Sequence, residues 1–145
     1  MKVRDFISEQ DQRRVVRTIE EAELETSGEI RVHLESACSG DPVTRAGEVF
    51  RSIGMDKTAL RNGVLIYVAV NSHTFAIVGD AGIDEKVPDG FWDGISARMA
   101  ADFRQGRFTE GICTAVRSAG LSLKQYFPYQ SDDVNEQSDE ISFGE

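Results

Sequence analysis

The chain has 145 residues, of which 40% are hydrophobic and 28% are charged, and this is the size and composition of one globular domain. The net charge of −9 and the absence of a basic stripe exclude a nucleic-acid-binding surface of the usual electrostatic kind. No apolar run approaches the ~20 residues of a membrane-spanning helix, and the segment Met1 to Phe6 lacks the apolar core of a signal peptide. A cytoplasmic protein without a membrane span is therefore expected.

The first predicted elements are a helix over residues 8–26 and a strand over residues 30–35. Ser8, followed three residues later by Asp11, is typical of a helix N-cap, and apolar residues then recur at helical spacing. The strand alternates apolar and polar side chains, which is the pattern of a strand with one buried face.

The middle of the chain predicts a helix followed by two strands. Asp41-Pro42 combines an N-cap residue with a first-turn proline, and the helix is predicted to run to about residue 53. Residues 64–70 form a continuous apolar run, as expected of a strand covered on both faces. A short polar turn joins this run to a strand at 74–78, which predicts an antiparallel hairpin. The strand at 30–35 reaches 64–70 through a helix, which predicts a parallel pair.

Two further helices, over residues 88–103 and 109–126, are predicted before Pro128. The last 17 residues hold six acidic side chains and no Lys or Arg. We therefore expect a domain over residues 1–128 and an acidic, disordered tail over residues 129–145. Docking on a basic partner, or folding over an acidic site, are the alternative roles of this tail.

The order α-β-α-β-β-α-α predicts a three-layer α/β/α sandwich with a small mixed sheet, since helices precede, separate and follow the strands. The two parallel strands should begin at the same end of the sheet, and the antiparallel third strand should finish there. Glu29, Asn62 and Asp80 are therefore expected to converge from three strand ends. Asp84 lies on a loop that borders the same end.

These converging side chains have the chemistry of a divalent-cation site. Carboxylate and amide oxygens are the ligands that hard divalent cations prefer. Acids gathered in one place repel each other unless a metal ion, or a basic side chain such as Lys57, Arg61 or Lys86, compensates them. Another alternative is that Asp80 and Asp84 only cap a turn and a helix. The candidate metal ligands are Asp80, Asp84, Asn62 and Glu29.

The remaining residues with chemical potential are interpreted as structural or solvated. His33 lies on the polar face of a strand and His73 in a turn, so both are expected to be solvated. Cys38 and Cys113 lack metal-ligand spacing and are expected to pack as small free residues. The chain contains no phosphate-binding glycine motif and no nucleophile elbow, so no catalytic residue is assigned.

Five stretches of the sequence resemble the TPM domain family, which is named after thylakoid-lumen, photosystem-repair and receptor-auxiliary proteins. They are Thr26 to His33, Arg61 to Ala69, Phe75 to Ile83, Phe91-Trp92 and Gly106 to Ile112. The resemblance implies an α/β/α sandwich and binding of a divalent cation, most often calcium, at acidic loops near one end of the sheet. It carries metal binding over to Asp80, Asn62 and Asp84, whereas Glu29 follows from the topology alone.

The resemblance also frames the expected function. A calcium-binding, rather than magnesium-binding, interaction module of the short bacterial type, acting on an unknown protein partner, is the first hypothesis. Acid-phosphatase activity attributed to plant members implies a metal-assisted phosphatase as an alternative, with Arg61 or Lys57 stabilising the phosphate charge. A metal-free structural interaction domain is the other alternative.

Overall fold

A computed structural model of the chain describes residues 2–130 and 137–144. The helices and strands are α1 (Glu9–Glu23), β1 (Glu29–Glu35), α2 (Pro42–Ser52), β2 (Gly63–Ala69), β3 (Thr74–Gly79), α3 (Ala81–Asp84), α4 (Phe91–Arg104), α5 (Phe108–Tyr126) and β4 (Ser142–Phe143). Two single-turn 3-10 helices, Val3–Asp5 and Met55–Lys57, precede α1 and β2. Within this described part of the chain, no helix combines the length and the apolar character that crossing a membrane requires.

The helix starts follow the capping residues that the sequence indicated. The Ser8 hydroxyl accepts a hydrogen bond from the Asp11 N–H at 3.1 Å and caps α1. The Asp41 carboxylate accepts one from the Thr44 N–H at 3.1 Å and caps α2, whose first residue is Pro42. Both caps satisfy backbone donors that have no partner inside the helix.

The strands form one mixed sheet in the order β3-β2-β1-β4. β1 and β2 are parallel, with Glu29 opposite Gly63, and β2 and β3 are antiparallel, with Val64 opposite Gly79. The predicted parallel pair and hairpin are therefore confirmed. We call the end at which β1 and β2 begin and β3 finishes the amino end of the sheet. The opposite end, where β1 and β2 finish, is the carboxyl end.

Helices cover both faces of this sheet, which confirms the α/β/α sandwich. On one face, Ile30, Val32 and Leu34 of β1 pack in a core with α1, α4 and α5. On the other face, Leu65 and Tyr67 of β2 pack against α2. Because α2 lies over β2 and β3, the polar side chains of β1 on this second face are left for other partners.

The C-terminal segment differs from the prediction of a disordered tail over 129–145. Residues 131–136 and 145 lie outside the described residues, but 137–144 are ordered against the sheet. Ser142 and Phe143 pair in parallel with β1, and the Gly144 N–H donates to the Leu34 carbonyl at 2.8 Å. The acidic composition of this segment gave no signal for a strand. The strand forms because Ile141 is buried and because the edge of β1 has backbone groups that require partners.

Candidate functional site

The three strand ends named in the sequence lie side by side at the amino end of the sheet. The Glu29 N–H donates to the Asn62 carbonyl at 3.4 Å, and the Asp80 N–H donates to the Gly63 carbonyl at 2.9 Å. Glu29, Asn62 and Asp80 are 2%, 1% and 6% exposed, so all three polar side chains are removed from water. Buried polar groups require partners, and the partners of these residues decide what the site can do.

The partners of Asp80 belong to the protein itself. Its two carboxylate oxygens accept hydrogen bonds from Arg61 Nε at 2.7 Å and Nη2 at 2.8 Å, a bidentate ion pair. The oxygen facing Nη2 also accepts from the Ala81 N–H at 2.7 Å, which makes Asp80 the N-cap of α3. This carboxylate is therefore neutralised and fully engaged without a metal ion.

The Asp80 pair fixes a tight junction between α3 and the turn before β2. Arg61 has a φ of 51°, a left-handed conformation that is costly for a residue with a Cβ. A Cβ on Gly82 would lie 2.2 Å from the Leu60 carbonyl oxygen, so the backbones of α3 and this turn are in direct contact. Asp80 holds Arg61 in place at this junction.

Asp84 is exposed on α3 and faces α4. Its carboxylate accepts a hydrogen bond from Trp92 Nε1 at 3.0 Å. It therefore links α3 to the start of α4, and its solvent-facing position separates it from the buried side chains of Asn62 and Glu29.

Asn62 is a buried polar residue at the amino end whose side-chain amide lacks hydrogen-bond partners in the described residues. Both its Oδ1 and its Nδ2 are buried, and neither has a hydrogen-bond partner within residues 2–130 and 137–144. Its backbone N–H, by contrast, donates to the Thr58 hydroxyl at 3.3 Å. A buried amide without partners costs about 1–3 kcal/mol, so a group that binds the Asn62 oxygen or nitrogen would stabilise the fold.

Glu23, at the C-terminus of α1, is a member of the site that sequence reasoning missed. Its Oε2 accepts from the Ile30 N–H at 2.7 Å, and its Oε1 is buried. Burial, a hydrogen bond with Asp139 and the nearby charge of Glu29 raise the pKa of Glu23 to about 11, despite the Ile30 hydrogen bond. The carboxyl is consequently protonated at neutral pH.

The loop before β2 and the C-terminal segment complete the amino end. Asp56, in the 3-10 helix, has a buried Oδ1 without a partner in the described part of the chain. Gln137 Nε2 donates to the Gly54 carbonyl at 3.0 Å, and Asp139 reaches Glu23. Residues 137–139 thus cross the amino end before the chain enters β4.

The described residues contain no group of three or more His, Cys, Asp or Glu side chains already arranged to hold a metal ion. The amino end instead brings together oxygen-bearing side chains from α1, β1, the loop before β2 and the C-terminal segment. Carboxylate and amide oxygens are the ligand type that hard cations prefer, and a cation favours the ionised form of nearby carboxyls.

A second polar cluster, around Glu35, lies at the carboxyl end of the sheet. Glu35 is 3% exposed and accepts hydrogen bonds from Arg45 Nε at 2.9 Å, from Arg45 Nη2 at 2.7 Å and from the Tyr67 hydroxyl. His33 Nε2 lies 3.4 Å from Glu35, and its Nδ1 lies 2.8 Å from the Ser142 hydroxyl oxygen. Every buried oxygen of Glu35 therefore has a partner.

Electrostatics at the carboxyl end match this geometry. The Arg45 hydrogen bonds lower the pKa of Glu35 to about 2, against the effect of burial. Burial lowers the pKa of His33 and raises the pKa of Tyr67, so both are neutral at neutral pH. The expectation of a solvated His33 was wrong, because β4 covers it and leaves it 5% exposed. A sequence signal existed: Tyr67 interrupts an apolar run at a position that requires a polar partner.

Comparison with known proteins finds a matching family and solved structures of the same fold. A family model described as the TPM domain matches residues 2–120. The chain is similar to the BA42 protein from the psychrophilic bacterium Bizionia argentinensis, solved by NMR, with 44% identity, 99% of each chain covered and a TM-score of 0.90. A comparison with curated proteins found no match.

Two more distant solved structures share the fold. The N-terminal domain of a protein from P. gingivalis has 20% identity and a TM-score of 0.67, covering 84% of this chain and 79% of that domain. The N-terminal domain of the cg2496 protein from Corynebacterium glutamicum has 17% identity and a TM-score of 0.65, covering 90% of this chain and 81% of that domain.

Proposed function

Because this chain belongs to the TPM domain family, we propose that it binds a divalent cation at the amino end of its sheet and acts as an interaction module. The observation that carries the proposal is Asn62, a side chain 1% exposed whose amide oxygen and nitrogen have no partner in the described residues. A site of this kind is stabilised by a ligand that the polypeptide alone does not supply.

The residues around Asn62 have the donor chemistry of a hard-cation site. The proposed ligands are the Asn62 Oδ1 and the carboxylates of Glu29 and Glu23, with Asp56 and Asp139 at the margins. A bound cation would supply positive charge next to the Glu23 carboxyl, which burial otherwise keeps protonated. Of the four residues proposed from the sequence, Glu29 and Asn62 remain in this set. Asp80 is left out because Arg61 neutralises it, and Asp84 because it is exposed on α3 and bonded to Trp92.

Calcium is proposed in preference to magnesium because of how the ligands are supplied. Ca²⁺ accepts six to eight oxygens at irregular angles, whereas Mg²⁺ requires near-octahedral geometry and retains several waters. The oxygens at the amino end come from separate chain segments and include an amide, which suits the more permissive ion. Their burial also leaves little room for the water shell of magnesium.

The C-terminal segment connects the cation to a role in protein interaction. Asp139 touches Glu23, and two residues later the same segment becomes the buried Ile141 and then β4. A cation at the amino end would therefore fasten residues 137–139 to the body of the domain. Leu24, which immediately follows α1, is 72% exposed and gives a protein partner an apolar contact near this end.

The alternative of a metal-assisted phosphatase has less support. Arg61, the side chain proposed to stabilise phosphate charge, is bound in a bidentate pair with Asp80. Withdrawing it would leave a buried carboxylate without its partner, which is strongly unfavourable. The alternative of a metal-free interaction domain is distinguished from the proposal by the titration and unfolding experiments described next.

The test is calorimetric titration of calcium and of magnesium, combined with thermal unfolding in chelator and in excess calcium. We expect saturable calcium binding and an increase in Tm with calcium, because a ligand that binds only the native state stabilises it by about 2.7 kcal/mol at one hundred times its Kd. Asn62→Leu should lose calcium binding, and the control Asp84→Asn should keep it. Absence of binding to the wild-type protein, with a Tm unchanged by chelator, would leave the metal-free domain as the answer.

A further inference from the structure

A cavity of about 440 Å³ opens at the carboxyl end of the sheet, far from the proposed cation site. Its walls come from the β2–β3 hairpin, the junction of α4 and α5, and the segment before α1. A volume of this size is within the range of sites for small organic molecules, about 300–1,000 Å³.

Four aromatic rings, Phe6, Phe75, Phe103 and Phe108, dominate the lining of the cavity. Their centroids are 4.8 Å apart for Phe6 and Phe108, 5.3 Å for Phe103 and Phe108, and 5.4 Å for Phe75 and Phe103. All four rings are half-buried, so each keeps apolar surface facing the opening. Aromatic surface of this kind favours an apolar occupant over water.

The ionisable side chains at the mouth of the cavity are basic residues. Among the described residues that line it, Arg104 and His73 are the only ionisable ones, and none is an Asp or Glu. This is notable in a chain with 25 acidic and 16 basic residues. Arg104 is exposed in the last turn of α4 and makes no ion pair with any described residue. Its planar guanidinium is thus available for a carboxylate, which it can bind through two parallel hydrogen bonds.

We propose that this cavity binds a small amphipathic carboxylate. Its apolar body occupies the space between the four phenylalanine rings, and its carboxylate group binds Arg104. The proposal stands independently of cation binding at the amino end, since the two regions share no residue.

The experiment titrates decanoate into the ¹⁵N-labelled protein and follows amide chemical shifts, in chelator so that calcium plays no part. We expect saturable shifts at the β2–β3 hairpin and the α4–α5 junction. Decyltrimethylammonium, which has the same chain and the opposite charge, should bind at least about tenfold more weakly, because an ionic hydrogen bond contributes roughly a factor of ten or more.

Three variants locate the two parts of the ligand. Arg104→Gln should weaken decanoate binding about tenfold, and Arg98→Gln, an exposed arginine of the same helix that does not line the cavity, should leave it unchanged. Ala100→Leu places added methyl groups in the opening and should abolish the shifts while the protein stays folded by circular dichroism.

Two outcomes would overturn the proposal. No saturable shift with decanoate at the cavity would show that it is not a binding site for this chemistry. Equal binding of decanoate and decyltrimethylammonium, with Arg104→Gln unchanged from wild type, would show that the carboxylate is not recognised. The Arg104→Gln arm decides the matter even where Ala100→Leu fails to fold.

Discussion

The two ends of β1 bury polar side chains in opposite ways. At the carboxyl end, Glu35 is 3% exposed and its oxygens are bonded by Arg45 and Tyr67. At the amino end, Asn62 is 1% exposed with an amide that has no partner among the described residues, and Glu23 meets the carboxyl of Asp139 rather than a base. The ends of one strand are thus stabilised by different means.

The difference shows why burial alone does not identify a functional site. Glu35 is held in its ionised form by a protein cation, and its low pKa is a measure of how complete the network is. Glu23 is held in its neutral form, and its raised pKa reports that no described base compensates it. A strongly perturbed carboxyl indicates a ligand site only where the protein leaves its requirement unmet.

The largest expected effect comes from breaking the Arg45–Glu35 ion pair at the carboxyl end of the sheet. Arg45→Met keeps most of the side-chain stem but leaves Glu35 buried without its cation, and should lower the free energy of unfolding by about 2–3 kcal/mol. This is below the range for fully buried pairs, because Arg45 is 43% exposed. Urea unfolding at pH 7 measures it. Arg51→Met, an exposed arginine on the same helix, is the control and should change stability by less than about 0.5 kcal/mol.

Acid titration of the same two proteins sharpens this prediction. The pKa of Glu35 falls from 4.5 to about 2 on folding, so its contribution to stability is present above pH 4.5 and is lost as pH falls from 4.5 towards 2. The wild-type protein should lose stability over this range, and Arg45→Met should lose less. Parallel curves for the two proteins would contradict the role given to Arg45.

The second effect is an increase in the free energy of unfolding, and it comes from Glu23 at the amino end of the sheet. Because the pKa of Glu23 rises from 4.5 to about 11 on folding, this residue's contribution declines as pH increases between these values. Glu23→Gln supplies a permanently neutral group of the same shape, and in chelator at pH 8 it should stabilise the protein by about 2 kcal/mol. Denaturant unfolding at pH 5 and pH 8 checks this, since the gain should shrink at pH 5. Glu21→Gln, an exposed position on the same helix, should show no such pH-dependent gain.

The third effect is smaller and tests the unpaired amide directly. Asn62→Leu replaces two buried polar atoms with methyl groups and, in chelator, should stabilise the protein by about 1 kcal/mol. Calcium should then no longer raise its Tm. A loss of several kcal/mol in chelator would show that Asn62 has protein partners that complete the amino end.

The smallest expected effect belongs to Asp84. Asp84→Asn retains an oxygen that can accept from Trp92 Nε1 and removes only an exposed charge, so stability should stay within about 0.5 kcal/mol of wild type. Thermal unfolding measures it. A large loss of calcium affinity in this variant would return Asp84 to the ligand set proposed from the sequence.

The sequence predicted the sheet because its signals are local. The caps Ser8 and Asp41, the alternation in β1 and the short hairpin turn each depend on neighbouring residues, and together they specify the parallel pair and the meeting of Glu29, Asn62 and Asp80. These features require no knowledge of distant contacts.

The sequence named Arg61 as one possible partner of the acids and a capping role for Asp80, and the structure shows both. It could not choose Arg61 over Lys57 or Lys86, or bring Glu23 to Asp139, because these pairings join residues far apart in the chain. β4 was missed for a related reason: two residues gain strand structure from the exposed edge of β1 rather than from their own propensity.

A crystal grown with calcium tests the central claim most directly, because oxygen ligands of Ca²⁺ lie at about 2.3–2.6 Å and identify the ion as well as the site. We predict a calcium ion at the amino end, with the Asn62 amide oxygen and the Glu29 carboxylate among its ligands and the Arg61–Asp80 pair intact. Calcium bound instead by Asp80 and Asp84 after displacement of Arg61, or an amino end unchanged in saturating calcium, would contradict the account.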